Sequence, residues 1–197
     1  HRIIKLNGWQ VTKKPKGHRP RAKGWASRTT EVNTRWAIDT THILCGKDGW
    51  AHLTAVIDCC DRNIVGWRFS SSGSAKVATA ALEDALRARK IKYGAKNNLA
   101  LRSDNGLVFG SKEFSKVVKG FNLSQEFITP YTPEQNGMIE RFFRTVKEEC
   151  IWGYNFKDKD DAFEKIADWM DKYHTYRPHS ALGYMTPEEF KQLKLSA

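Results

Sequence analysis

Three strand-like runs follow one another within about 35 residues, joined by connections too short to hold a helix, and this most narrows the folds open to the chain. The first covers about residues 35–44 and ends at Gly46-Lys47-Asp48-Gly49. The second, Trp50 to Asp58, alternates Leu53, Ala55 and Ile57 on one face. The third, Ile64-Val65-Gly66-Trp67-Arg68-Phe69, follows Asp61-Arg62-Asn63. Short turn-rich links of this kind make an antiparallel meander. The period then changes: Val77, Ala78, Ala81, Leu82, Ala85 and Leu86 form a helical stripe within 74–90. A strand at 98–103, a helix at 111–120, a short strand at 124–128 and helices at 134–150 and 160–175 come next. A last helix starts at Thr186-Pro187-Glu188-Glu189, a capping-box pattern. The order βββαβαβα, with further helices after it, predicts an α/β fold: a mixed five-stranded sheet flanked by helices.

Three carboxylates fall at chosen places in that order. Asp39 follows the apolar Trp36-Ala37-Ile38, Asp104 follows the buried-type run Asn98–Ser103, and Glu140 lies near the start of the 134–150 helix. Strand ends and a helix can present hard oxygen ligands to two divalent metals, the arrangement phosphoryl transfer uses. Spacing alone is a weak signal. With 11 Asp and 11 Glu in the chain, chance supplies about 0.5 Asp/Glu pairs at the 104-to-140 separation. Asp58 and Asp61 are the nearest rivals, and a hairpin-end role suits Asp58 better than a place near the metals. His42 and His52 sit in strand patterns and read as satisfied structural histidines. At 100° per residue, Ile139, Phe142, Phe143, Val146 and Cys150 share the apolar face of the Glu140 helix. Asn136 lies one turn before Glu140, and Arg144 and Lys147 lie one and two turns after it, where they could touch phosphates beside the metals. An intrahelical Glu140–Arg144 pair is the plainer reading.

Charge is distributed unevenly. The formal net charge is +11, yet residues 1–30 contain nine Lys or Arg and no acid, leaving 24 basic against 22 acidic residues beyond them. Pro15, Gly17, Pro20 and Gly24 interrupt this segment, so residues 1–32 read as an extended basic arm. Its Lys13, Lys14, Lys16, Arg19, Arg21 and Lys23 are candidate DNA contacts. The chain begins at His1, and residues 1–9 read as the end of a helix stopped at Asn7-Gly8, the remnant of an upstream module. No apolar run approaches the roughly 18 residues of a membrane span, and no secretory leader is visible. Cys45, Cys59, Cys60 and Cys150 lack the spacing of a zinc site and read as buried thiols in a reducing cytoplasm. Of the seven Trp, only Trp9 and Trp25 read as stacking groups; the others are assigned mostly to the core.

Several separate segments then agree on one family. They are Trp36-Ala37-Ile38-Asp39-Thr40-Thr41, Asp58 to Trp67, Ser103-Asp104-Asn105-Gly106, Thr129-Pro130-Tyr131-Thr132-Pro133-Glu134-Gln135-Asn136-Gly137 running into Glu140-Arg141-Phe142, and Tyr176-Arg177-Pro178-His179-Ser180-Ala181-Leu182-Gly183-Tyr184 with Thr186-Pro187. In order and spacing these resemble the DDE transposases of bacterial insertion sequences, second-reading-frame type, in the retroviral integrase superfamily. The resemblance covers about residues 30–190. It implies a ribonuclease H-like catalytic core over 33–178, with a helical extension over 179–197. Asp39, Asp104 and Glu140 would be the catalytic and metal-binding triad, using Mg²⁺ or Mn²⁺, two ions to a site. The implied reaction is hydrolytic nicking of double-stranded DNA at transposon ends, then direct transesterification into a target. A homo-oligomer, at least a dimer on DNA, is expected, acting in the bacterial cytoplasm at the nucleoid. A ribonuclease H-like nuclease or junction resolvase, with Asp58 as a fourth carboxylate, and a non-catalytic DNA-binding protein are the alternatives.

Overall fold

A computed structural model describes residues 29–129 and 135–196. The basic arm up to residue 28 and the loop 130–134 lie outside the described residues, and with them the expectations placed on Lys13 to Lys23, Trp9 and Trp25 and the Pro130 to Glu134 part of the family motif.

Five strands form one sheet: β1 (Arg35–Leu44), β2 (Trp50–Asp58), β3 (Ile64–Ser70), β4 (Ala100–Ser103) and β5 (Ser124–Phe127), in the order β3-β2-β1-β4-β5. The meander pairs antiparallel, with Asp39 opposite Ala55, while β4 runs parallel to β1 and β5 parallel to β4. The parallel pairs follow from the helices between the strands, since a crossover is what lets a strand return in the same direction. These are α1 (Ala75–Ala88) and α2 (Lys112–Gly120); α3 (Gly137–Val146), α4 (Lys159–Thr175) and α5 (Pro187–Ser196) complete the chain.

Alternation along β1 divides the core in two. Trp36 and Ile38 pack with Val56, Leu82, Leu86 and Phe114 under α1 and α2. Ala37 and Ile43 pack on the opposite face with Ile139, Phe142, Val146, Ile166 and Trp169 of α3 and α4. Both faces are covered, as a sheet with a parallel half requires. Gly66 permits the close seat of α1 on β3, because a Cβ there would collide with the Ala81 carbonyl and with Ala85. The capping box of α5 forms as expected: the Thr186 amide donates to Glu189 Oε2 at 2.7 Å, and the Glu189 amide donates to Thr186 Oγ1 at 3.2 Å.

Two expectations need correction. The helix expected over 134–150 is α3 only to Val146; a π-turn, Lys147–Ile151, then widens the coil. Trp36 and Trp169 are core residues, but Trp50 and Trp152 stand 62% and 69% exposed. All four cysteines are free and buried. Burial pushes the Cys59 thiol up to about 12 and Cys150 to about 11, and raises Cys45 and Cys60 too.

Candidate active site

The parallel register of β1 and β4 pairs Trp36 with Leu101 and Ala37 with Arg102. Continued two residues, it sets Asp39 beside Asp104 on neighbouring strands, which lie roughly 4.8 Å apart. Asp39 shares strand parity with Ala37 and Ile43, so its carboxylate lies on the face covered by α3. Glu140 stands in the first turn of α3, exposed. The Asp39 carboxyl is pushed up to about 7, foremost by burial, with the negative charges of Asp104 and Glu140 adding to it. The Thr40 amide, 2.7 Å from Oδ1, opposes the shift, and so does the Lys147 charge. Asp104 Oδ1 accepts the Gly106 amide at 2.9 Å, and a Cβ on Gly106 would press on that same oxygen.

Among the described residues, no three His, Cys, Asp or Glu side chains stand at the spacing of one shared ion. The donor set nevertheless fits a hard divalent cation: carboxylate oxygens only, one of them on a half-buried Asp39 that a positive charge would relieve.

A second group of contacts ties α3 to the sheet. Arg102, 7% exposed, donates from Nε and Nη2 to Glu126 Oε2 at 3.1 and 2.8 Å, and from Nη1 to the Gln135 carbonyl at 2.8 Å. Arg35 holds the other Glu126 oxygen at 3.1 Å. The Gln135 side chain accepts the Thr129 amide at 2.7 Å and donates to Thr129 Oγ1 at 3.3 Å, clasping the two ends of the 130–134 loop. The strand bearing Asp104 and the entry to the helix bearing Glu140 are thus joined through one guanidinium. Sequence reasoning missed Arg102, Glu126 and Gln135. The signal was a lone cation in the apolar run Leu99-Ala100-Leu101-Arg102, which must find an acid if that strand is buried.

The other expected residues are placed as follows. Lys147 lies in the π-turn, near enough for its charge to reach Asp39. Arg144 is exposed and forms no ion pair among the described residues, so the intrahelical pair with Glu140 is not made. Asn136 differs from expectation: it is 2% exposed, and its Oδ1 is buried without a hydrogen-bond partner, so it is not presented to solvent as a DNA contact. Asp58 and Asp61 are fully buried at the turn between β2 and β3. Asp58 accepts from the Asn33 amide, Trp36 Nε1 and the Cys60 amide, and Asp61 pairs with Arg89 at 2.6 Å. The His42 and His52 rings contact each other, 4.6 Å between centroids, on the β1–β2 ladder.

A five-stranded sheet in this order, with helices on both faces, Asp39 midway along β1 and Asp104 just past the end of β4, has the architecture of a ribonuclease H-like core. Residues 29–133 match the family model for the integrase core domain, and 122–187 match a second integrase core domain model. The chain belongs to the integrase core domain family. It is 30% identical over 165 residues to the transposase InsF for insertion sequence IS3fB of Escherichia coli (strain K12), across 83% of this chain and 56% of that protein. With the putative transposase InsD for insertion element IS2E of the same strain it shares 26% identity over 193 residues, 96% of this chain and 88% of that one. The chain spans about half the length of the IS3-type relatives it matches. Among solved structures, the HTLV-2 integrase catalytic core domain in complex with magnesium aligns with a TM-score of 0.62 at 17% identity, over 83% of this chain and 99% of that one. A chain of the simian T-cell lymphotropic virus intasome in complex with PP2A regulatory subunit B56 gamma aligns with a TM-score of 0.64 at 17% identity, over 90% of this chain and 60% of that one. These likenesses bear on the fold.

Proposed function

We propose that this chain is the catalytic domain of a DNA transposase that nicks duplex DNA and joins a 3′-hydroxyl to a target strand, with Asp39, Asp104 and Glu140 as the metal-binding triad. The observation that carries the reading is the β1–β4 register: continued two residues it brings Asp104 level with Asp39, whose carboxyl is raised by burial first and then by the charges of Asp104 and Glu140. The sheet supplies two rigid ligands and α3 the third. Two Mg²⁺ or Mn²⁺ ions held there would activate a water or 3′-hydroxyl on one side of the phosphodiester and stabilise the leaving oxygen on the other. Arg144 and Lys147, along α3 from Glu140, are suited to the phosphates beside the scissile one. The basic arm, Lys13, Lys14, Lys16, Arg19, Arg21 and Lys23, would add a second grip. Asn136, buried as it is, would steady the start of α3. The working form is at least a dimer on DNA at the nucleoid, and residues 33–178 are the catalytic unit, with 179–197 as its extension.

The nuclease alternative calls for a fourth carboxylate, and Asp58 is already engaged by three donors. The test is strand cleavage and strand transfer by Asp39→Asn, Asp104→Asn and Glu140→Gln, alongside duplex binding. Each should lose chemistry and keep DNA affinity, and excess chelator should silence the wild type. Full activity in any one variant removes that residue from the triad; turnover under chelation removes the metals.

A further inference from the structure

Away from the carboxylates, on the other face of the sheet, α2 and the loop before β4 build a surface that none of the chemistry above uses. Lys112, Lys116 and Lys119 recur at i, i+4 and i+7 along the outer side of α2, all exposed, and with Ser115 and Tyr93 they line an open cleft of about 640 Å³. None of the three forms an ion pair among the described residues, although Lys47, Lys172 and Lys191 elsewhere each find an acid. Between Lys90 and Asn122 the only acids are Asp104, in the candidate active site, and Glu113. The loop carrying Lys90, Lys92 and Lys96 is fastened to the end of α2. The Gly94 amide donates to the Gly120 carbonyl, Asn122 Nδ2 donates to the Gly94 and Ala95 carbonyls, and Asn97 Nδ2 donates to the Phe121 carbonyl. Tyr93, 74% exposed, lies edge-on to Phe121 and fills the space that a side chain on Gly120 would need. Loop and helix are therefore one fixed surface, with cations held together that would repel one another without a polyanion.

We infer that this surface is a second DNA-binding face, which takes the phosphate backbone of a duplex running past the active site rather than the phosphate being cut. The inference rests on the transposase reading. Lys112 to Lys119 span about 10 Å of helix, and each DNA strand carries one phosphate per ~3.4 Å of axis, so three lysines on one line can meet successive phosphates. α2 starts eight residues after Asp104, so a short link joins the lysine row to the strand that leads into that acid. Tyr93 offers a flat ring to a deoxyribose or a frayed base at the edge of the row. Nothing here reads base edges, so the contact is indifferent to sequence.

The test is the salt dependence of duplex binding by this chain, measured by fluorescence anisotropy on a labelled duplex of arbitrary sequence. The triple variant Lys112→Gln, Lys116→Gln, Lys119→Gln changes only exposed side chains. Its log–log slope should fall by about 2 to 3 units, at about 0.9 for each lost phosphate contact, with melting temperature and metal-dependent cleavage of a short oligonucleotide preserved. Lys116→Glu alone should weaken binding more than Lys116→Gln. A slope within half a unit of wild type (~0.5, less than one contact) makes this a solvated face and overturns the inference while leaving the transposase reading intact. A wild type that binds duplex with the expected slope yet cleaves nothing with Mg²⁺ or Mn²⁺ does the reverse.

Discussion

Two groups of acids belong to the same fold, one at the β2–β3 turn and one around β1, β4 and α3, and the chain treats them in opposite ways. At the β2–β3 turn, Asp58 and Asp61 are fully buried, but both oxygens of each have partners: amides, an indole N–H and the Arg89 guanidinium, itself 7% exposed. Burial and the Asp58 charge push the Asp61 carboxyl up, and Arg89 opposes them. At the other group, Asp39 and Asp104 each accept one backbone amide and form no ion pair among the described residues, while Glu140 adds a third negative charge. Like charge gathered in this way costs stability, and such clusters of perturbed carboxyls are concentrated at functional sites. The acids of the first group hold the turn; for the second, the proposed function makes a metal cation the counter-charge.

The contrast is most exposed to failure at Asp104 and Asp61. Asp104→Asn should cost strand transfer about a thousandfold, the equivalent of about 4 kcal/mol of transition-state stabilisation, with the melting temperature nearly unchanged. Asp61→Asn should take the near carboxylate from buried Arg89 and leave it only Asp58 at 4.0 Å, at a cost of up to about 3–5 kcal/mol; calorimetry should show a much lower melting temperature, with residual activity tracking the folded fraction. If Asp61→Asn melts normally but is inactive, the assignment of the two groups is reversed.

Asp39→Asn sharpens the comparison through pH. The folded-state pKa of Asp39 is raised from 3.8 to about 7, so the native state holds the proton more tightly than the unfolded chain. Its contribution to stability is fully present below about pH 4 and is lost as pH rises through about 7. The variant should therefore be more stable than wild type at pH 8, by at most about 4 kcal/mol, with the gain shrinking towards pH 4. Mg²⁺ should stabilise the wild type and have little effect on the variant; a variant less stable at pH 8 would contradict the argument. Arg102→Lys is the mildest test. One ammonium can hold Glu126 but cannot also reach the Gln135 carbonyl with a second fork, so the entry to α3 loosens. The Mg²⁺ concentration for half-maximal thermal stabilisation should rise about fivefold, about 1 kcal/mol. No shift would make Arg102 a purely structural residue.

Strand order and helix order were legible because each rests on local periodicity: period two in β1 to β3, 3.6 in α1. What stayed hidden depends on contacts across the fold. Glu126 is 24 residues from Arg102 and Gln135 is 33 away, and no local pattern links them. Asn136 reads as polar and exposed until α3 is placed on the sheet. The π-turn at Lys147 is invisible to a 100° wheel, since one extra residue per turn leaves Val146 and Cys150 on the same apolar side. Trp50 and Trp152 were assigned inward by residue type, and type alone does not say which side of a strand or coil faces out.

The four buried cysteines leave the surface of the described residues silent to maleimides and disulfide reagents, because none offers an accessible thiolate at neutral pH. A single cysteine placed at Lys116 would then be a unique chemical address. A duplex carrying a tethered thiol at a chosen phosphate could be locked to it and the register of the two read directly, without first stripping the protein of its own sulfur.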